Sequence, residues 1–474
     1  MDLIMLATQS REPLYMQLYM HFKQEIEQKR LNEGDKLPSI RSLSAGLSVS
    51  KITVEKAYQQ LMSEGYIQNC NRSRYLVCKF DGMAVKRTTV PNPDYSSENP
   101  PPGRTKVFYD FASGEMDVGG FDFSLWKKYI NKALASKERL AGYGHVQGEQ
   151  ELRRELAKYI RSSRGVNAHP EQIVIGPGVQ SLLTTLCSLL RTEFSSIAFE
   201  DPGFKQGRRV FADNSFAINA IPMAKDGINI DRLIDSGARL VYLSPSHQFP
   251  TGYIMPVGKR TQLLNWAESV QGTIIEDDYD SEFRYFGRPI PALKGLGNGE
   301  AVVYLGSLSK IIPPSIRISY MVLPEKLLAD FRQNAALYNQ AASTLEQLAL
   351  AQFMADGCLE RQIRRLRKLY YGKKILLFEA VEKILGDHVE IAATESGVHA
   401  VLTVRAEADA EQLVEQALAK GCRVAAVRDY YFQDITENTS RIILYFSKIP
   451  AHDIETGITL LRDAWFGNRA AAVF

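Results

Sequence analysis

The feature that most constrains the fold is a series of short apolar runs in the body of the chain. They fall at residues 173–175, 196–199, 240–243, 273–275 and 302–305, and turns and helical patterns separate them. Continuous apolar strands that alternate with helices are typical of a parallel sheet covered on both faces. From about residue 107 we therefore predict an α/β body with a large, mostly parallel sheet. A long helical region, 331–366, and strands at 398–402 and 441–446 predict a smaller α+β subdomain.

Length and composition set the broad class. A chain of 474 residues exceeds one ordinary core, so two or more domains are expected. Contents of 45% hydrophobic and 23% charged residues are those of a globular protein, and a net charge of +3 neither supports nor excludes nucleic acid. The five cysteines lack metal-ligand spacing, so we expect no metal site. With neither a signal peptide nor a membrane-length apolar run, we expect a cytoplasmic protein without a membrane partner.

The first eighty residues have a different pattern. A helical stripe covers residues 14–26, and Ser39 and Ser50 stand where they can cap two further helices. Residues 75–78 are typical of a short strand. A proline-rich stretch then offers nothing to build a core. We predict a small domain at 11–80, a linker at 81–106 and the large body at 107–474.

Residues 36–43 and 49–58 resemble the GntR family of winged helix-turn-helix regulators, over roughly residues 12–79. The resemblance implies that one helix braces on the DNA backbone and the next enters the major groove. Ser39 and Arg41 would contact phosphates, and Lys51 and Thr53 would reach bases or phosphates. Arg72 would lie on the wing, where an Arg-Ser-Arg sequence replaces the usual glycine. The implied partner is a double-stranded DNA operator.

Four motifs in the body carry further chemistry: residues 143–148, 244–252, 275–280 and 307–310. Together they resemble fold-type I aminotransferases, which use pyridoxal 5'-phosphate (PLP). A winged helix joined to such a body is the organisation of the MocR/GabR subfamily of GntR regulators, and the resemblance covers nearly the whole chain.

The resemblance implies a role for each motif. Lys310 would hold PLP as a Schiff base, Asp277 would face the pyridine nitrogen, and Tyr279 would lie near the ring hydroxyl. Phe204 would stack on the ring, and either His247 or Gln248 would lie beside it. A phosphate needs backbone N–H groups at a helix N-terminus, hydroxyls and a cation. The expected phosphate-binding residues are Gly178, Val179, Gln180, Ser307, Ser309 and Arg317.

The sequence does not identify the effector. Ile443 stands where amino-acid aminotransferases usually carry an arginine for the substrate carboxylate. Arg428 resembles a loop arginine that grips the ligand carboxylate in GABA-sensing relatives, whereas Gln206 replaces a second one. GABA itself is therefore in doubt, and another amino acid, an amine or PLP remains open as the effector.

We expect a homodimeric, PLP-dependent transcriptional regulator in which a ligand amine reacts at Lys310 without efficient turnover. An alternative is an active aminotransferase whose DNA-binding domain regulates its own synthesis. A third possibility is a sensor of the PLP level itself.

Overall fold

The structure is a computed structural model that describes residues 6–7, 12–70, 74–79, 106–287, 290–297, 299–335, 339–392, 396–433 and 440–467. The chain divides into two compact units, Met1–Pro102 and Gly103–Phe474, and each is described by itself. Two predictions fall outside the described residues: Arg72 on the wing, and the linker at 81–106 apart from Lys106.

The described part of the N-terminal unit contains three helices and three strands. They are α1 (Leu14–Glu27), β1 (Lys36–Leu37), α2 (Ile40–Gly46), α3 (Lys51–Ser63), β2 (Ile67–Cys70) and β3 (Arg74–Val77). The strands form an antiparallel sheet in the order β1-β3-β2. This is the winged-helix arrangement that the sequence predicts.

Local chemistry fixes the helix starts in this unit. Ser39 Oγ accepts a hydrogen bond from the Ser42 N–H, and Ser50 Oγ accepts one from the Thr53 N–H, each at 3.1 Å. Both bonds satisfy N–H groups that the first turn of a helix leaves unpaired. The apolar faces of α1 and α3 meet in a core that includes Leu18, Phe22, Val54, Tyr58 and Leu61.

The second unit is built on an eight-stranded sheet. Its strands are β5 (Ile173–Gly176), β6 (Ser196–Asp201), β7 (Ala217–Ala224), β8 (Gly227–Ile228), β9 (Leu240–Leu243), β10 (Thr273–Asp278), β11 (Val302–Ser307) and β12 (Ser319–Val322), and β4 (Tyr109–Asp110) lies outside it. The order is β5-β12-β11-β10-β9-β6-β7-β8. Strands β11, β10, β9, β6 and β7 pair in parallel, whereas β12 and β8 are antiparallel to their neighbours.

Helices flank this sheet, and apolar residues on both of its faces are buried. The helices are α4 (Phe123–Ala133), α5 (Lys137–Leu140), α6 (Gln150–Arg164), α7 (Val179–Leu190), α8 (Lys205–Asp213), α9 (Ile230–Asp235), α10 (Val257–Ser269), α11 (Glu325–Asn334), α12 (Thr344–Ala355) and α13 (Cys358–Leu385). Where the sequence predicts one helical region at 331–366, the described residues form parts of three helices, α11, α12 and α13. Ser343 caps α12, and Gly357, at φ +67°, separates α12 from α13.

The C-terminal part forms the smaller subdomain that the sequence predicts. It contains β13 (Val389–Ile391), β14 (His399–Val404), α14 (Ala410–Ala419), β15 (Cys422–Arg423), β16 (Ala425–Ala426), β17 (Ser440–Tyr445) and α15 (Ile454–Trp465). Its antiparallel sheet has the order β13-β14-β17-β16, and β15 pairs with β4. Ile443, which stands at the expected arginine position, is buried in β17. Within the described ranges, no helix combines the length and apolarity needed to cross a membrane.

Candidate functional site

A cavity of about 510 Å³ opens where β10 and β11 end. These strands are parallel, with Asp278 opposite Gly306, so the residues that follow them emerge at one sheet edge. Ligands of open α/β sheets bind at this edge. The cavity is lined by ten of the predicted cofactor residues: Gly178, Val179, Gln180, Phe204, Asp277, Tyr279, Ser307, Ser309, Lys310 and Arg317.

Lys310 lies three residues beyond the end of β11 and directs its amine into this cavity. Its Nζ donates a hydrogen bond to the carbonyl oxygen of Gly114 and lies 5.7 Å from the centre of the Tyr445 ring. Loss of hydration lowers the pKa of Lys310, although the charges of Asp280 and Glu115 oppose that effect. A lowered pKa increases the fraction of uncharged, nucleophilic amine.

Gly114 is a site residue that sequence reasoning missed. A Cβ at this position would lie 2.5 Å from Lys310 Nζ and 2.7 Å from Tyr445 Cε1, so the lysine can sit here only against a glycine. The two residues are 196 positions apart. Only the folded chain brings them together, and nothing in the local sequence marks Gly114.

Asp277 presents an unsatisfied acceptor in the cavity wall. Its Oδ2 accepts a 2.5 Å hydrogen bond from the Tyr242 hydroxyl, whereas its Oδ1 is buried and has no partner among the described residues. Burial raises the pKa of Asp277 to about 7; the Tyr242 bond opposes this rise, and the charges of Asp278, Asp280 and Glu276 add to it. A buried, unpaired carboxylate oxygen is costly unless a donor meets it. Tyr242 was not predicted, because within its apolar strand it resembles a core residue.

Another part of the cavity wall has the groups that a phosphate requires. Helix α7 begins at Val179, directly after Gly178 at φ +115°, and its first N–H groups have no partner within the helix. The Ser307 and Ser309 hydroxyls lie 2.9 Å apart. The Arg317 guanidinium lies so close to Gly178 that a Cβ there would overlap Nη2.

Aromatic rings form one side of the site. Phe204 lines the cavity and stacks on Tyr242, with ring centres 6.0 Å apart and planes at 22°. Tyr242 in turn stacks on Phe199 at 4.9 Å. A planar ring could extend this series beside Phe204.

His247 lies behind this cavity and is not among the residues that line it. Its Nδ1 is 2.9 Å from the Asp280 carboxylate and 3.1 Å from the Tyr279 hydroxyl. It can therefore influence the site through Tyr279 but does not touch the cavity. Gln248 does not line the cavity either, and its amide donates to the backbone carbonyls of Pro202 and Phe249.

The outer wall contains residues that were not predicted to bind the cofactor. Phe249 and Tyr430 pack edge to face at 4.8 Å, and both line the cavity with Tyr445 and the exposed Gln206. Arg428 lies in the same short 3-10 helix as Tyr430, Val427–Tyr430, but does not line the cavity.

A set of hydrogen bonds ties residues 430–432 of the smaller subdomain to the loop before α8. The Tyr430 carbonyl accepts from the Gly203 N–H at 3.1 Å and from Arg208 Nη2 at 2.6 Å. The Phe432 N–H donates to Asp201 Oδ1 at 2.8 Å, and Arg208 forms an ion pair with the same carboxylate. The loop that carries Phe204 and the segment that carries Tyr430 are therefore held together.

The N-terminal unit presents its own candidate surface at the start of α3. Lys51 and Arg41 are exposed, while the Ser39 hydroxyl caps α2 and the Thr53 hydroxyl lies 2.9 Å from the capping Ser50 Oγ. Ile52, which was not predicted to bind, has 64% of its surface exposed. An apolar side chain here suits contact with a thymine methyl group.

The residues of the body fit PLP. The unpaired Asp277 Oδ1 matches a protonated pyridine nitrogen, the start of α7 with Arg317 matches a phosphate, and Lys310 supplies an amine in the same cavity. These features lie around one cavity.

Comparison with known proteins agrees with this geometry. Residues 106–446 match the family model "Aminotransferase class I and II", and residues 14–77 match "Bacterial regulatory proteins, gntR family". The HTH-type transcriptional regulator YdeL of Bacillus subtilis (strain 168) is 41% identical, over 96% of this chain and 97% of the relative. The probable rhizopine catabolism regulatory protein MocR of Rhizobium meliloti is 30% identical, over 96% of this chain and 94% of that protein.

A solved multiple substrate aminotransferase from Thermococcus profundus covers 76% of this chain and 91% of its own, with a TM-score of 0.68 and 24% identity, and shares the fold of the body. The predicted fold class and the PLP-binding nature of the body are confirmed. The chain belongs to the MocR/GabR subfamily of GntR-family transcriptional regulators, in which a DNA-binding winged helix precedes an aminotransferase-like body.

Proposed function

We propose that this regulator holds PLP on Lys310, senses a small amine-containing effector or PLP itself there, and acts as a homodimer on an operator in the cytoplasm. The observation that carries the proposal is the unpaired Oδ1 of Asp277 in the cavity wall that Lys310 and Arg317 share. PLP, when bound, supplies an aldehyde that condenses with amines and a ring that withdraws electrons.

Each residue of the site then has a defined task. Lys310 provides the amine, and its lowered pKa favours the reactive, uncharged form. Asp277, held by Tyr242, would accept a hydrogen bond from the ring nitrogen, and Tyr279 would lie near the ring hydroxyl. We propose that the phosphate is bound by three kinds of group. They are the backbone N–H groups of Val179 and Gln180, which follow Gly178, the hydroxyls of Ser307 and Ser309, and the Arg317 guanidinium.

His247 positions Tyr279, since its Nδ1 lies 3.1 Å from the tyrosine hydroxyl. Arg428 as a contact of the ligand carboxylate stays a prediction from the resemblance, because that residue does not line the cavity.

The winged helix supplies the DNA contacts. We propose that α3 enters the major groove with Lys51, Thr53 and the exposed Ile52 at base edges or phosphates. Arg41 and Ser39, at the start of α2, would contact the backbone. Two such units in a homodimer would read two half-sites.

The experiment is an absorption titration of the purified full chain reconstituted with PLP, compared with Lys310→Ala. We expect a visible absorption band that depends on Lys310, and a change in that band with an effector but without release of a keto acid. Catalytic release of a keto acid would instead establish an active aminotransferase. A response of DNA affinity to PLP alone, with no amine, would establish PLP as the effector. No PLP-dependent band would refute the role of Lys310.

A further inference from the structure

The charges that line the cavity limit what the effector can be. Among the described residues that line it, the only cations are Lys310 and Arg317, and the only carboxylate is Asp277. The proposed function already assigns all three to PLP: the amine to the aldehyde, the guanidinium to the phosphate and the carboxylate to the ring nitrogen.

The part of the wall that remains for an effector is neutral. It presents the rings of Phe249, Tyr430 and Tyr445 and the side-chain amide of Gln206. Phe249 lies at the centre of this wall, because it packs against Tyr430 at 4.8 Å and against His399 at 5.9 Å, and His399 in turn lies 5.2 Å from Tyr445. Such a surface offers apolar contact area and ring faces that attract cations.

His399 adds no positive charge to this wall. It is fully buried, its Nε2 donates to the Pro250 carbonyl at 3.0 Å, and burial together with its neighbour His247 lowers its pKa to about 3. Arg428 does not line the cavity and is engaged in an interaction of its own. Among the described residues of this subunit that line the space, a carboxylate would lose hydration without gaining a counterion, which is unfavourable.

We infer that the effector is a primary amine with an apolar or aromatic body and no carboxylate, rather than an amino acid. This inference rests on the proposed PLP-dependent function and narrows it. The amine would react at the Lys310 end, and its body would lie against the Phe249–Tyr430 wall with Gln206 at the rim.

Matched pairs that differ only in the carboxylate provide the test. The PLP-loaded full chain is titrated with phenylalanine and phenylethylamine, norvaline and butylamine, and GABA and propylamine, following the visible band and, separately, DNA affinity. We expect the amine of at least one pair to bind at least about tenfold more tightly than its amino acid, in both readouts. Amino acids that bind as tightly as their amines, or ligands of neither kind binding, would overturn the inference.

A variant that adds a positive charge tests whether the neutral wall causes the preference for amines over amino acids. Gln206 is exposed in the first turn of α8, so Gln206→Arg places a guanidinium at the cavity rim without disturbing the core. We expect this variant to gain about tenfold in affinity for the amino acid of a pair and to leave the amine unchanged or weaker. The matched control is Ala212→Arg, which adds the same charge at an exposed position of the same helix away from the cavity.

Arg428→Gln completes the test, and we expect it to leave the affinity for amines unchanged. The inference is wrong if Gln206→Arg leaves the preference for the amine over its matched amino acid unchanged. It is also wrong if an amino acid binds more tightly than its amine and Arg428→Gln abolishes that binding. Failure of the underlying PLP proposal is distinguishable, because it appears as an absent or Lys310-independent band before any amine is added.

Discussion

Replacing Asp277 with asparagine should stabilise the PLP-free protein at alkaline pH while it weakens PLP binding. Burial raises the pKa of Asp277 from 3.8 to about 7, so the folded state favours the neutral carboxyl. A carboxyl whose pKa is raised on folding stabilises the fold below the pKa of the unfolded chain, and this contribution is lost as the pH rises through the folded pKa. Between pH 5 and pH 8 the loss amounts to about 3 kcal/mol, at roughly 1.4 kcal/mol per pH unit up to pH 7.

Tryptophan fluorescence during urea unfolding of the PLP-free protein measures this difference. All three tryptophans, Trp126, Trp266 and Trp465, lie in the body, so their signal reports its unfolding and not that of the winged helix. Asp277→Asn should exceed the parent protein in unfolding free energy by about 3 kcal/mol more at pH 8 than at pH 5. With PLP the order should reverse, because asparagine cannot neutralise the ring nitrogen.

Glu200→Gln is the matched control for Asp277→Asn. Glu200 is a buried carboxylate on β6, two strands away from β10 in the same sheet; burial raises its pKa to about 8, and it does not line the cavity. This variant should also gain stability with pH but keep its PLP affinity. An Asp277→Asn advantage that is equal at pH 5 and pH 8 would refute the claim that an unmet Asp277 charge destabilises the PLP-free body.

Three further outcomes follow from the geometry. Gly178→Ala should weaken PLP binding by at least about tenfold, because the new Cβ would overlap the Arg317 guanidinium and alanine disfavours the positive φ of this position. Gly258→Ala, whose Cβ would meet open space, should bind PLP normally. Fluorescence titration with PLP measures both affinities. Lys51→Ala should weaken DNA binding and reduce the slope of log affinity against log salt by about 1, with an unchanged PLP spectrum; equal slopes would remove Lys51 from the phosphate contacts. Ser50→Ala should lower the local stability of α3 by about 1 kcal/mol, seen as faster amide exchange in its first turn, and unchanged exchange would contradict the cap.

Patterns that are local in sequence predicted much of the fold. The apolar runs at 173–175 and 302–305 became β5 and β11, because strands buried on both faces need continuous apolar side chains. Strand β7 was missed, since most of its residues are only partly buried and it contains Pro222. The interruptions of the predicted helical region at 331–366 were not placed from the sequence; the Ser343 cap and the positive φ of Gly357 mark two helix boundaries there.

The residues of the candidate site also fall into two groups, those that local sequence could place and those that it could not. Lys310, Asp277 and the Gly178 turn belong to contiguous motifs, so the sequence could place them at the ends of predicted elements. Gly114 and Tyr430 belong to no such motif, and they reach the cavity only through contacts between distant segments. The residues proposed to hold the cofactor could thus be placed in the cavity from local sequence, whereas Gly114 and Tyr430 depended on tertiary structure.

The hydrogen bonds around Tyr430 suggest how the cavity can communicate with the rest of the body. The Tyr430 ring lines the cavity, while its carbonyl accepts hydrogen bonds from the Gly203 N–H and from Arg208 beside the loop that carries Phe204. Arg208 is buried and also pairs with Asp201, so losing the Tyr430 contact would leave part of its donor capacity unmet. An effector can shift a conformational equilibrium only by binding its two states with different affinities. A ligand that touched both Tyr430 and a cofactor held beside Phe204 would meet that requirement, because moving the smaller subdomain away would separate those two contacts.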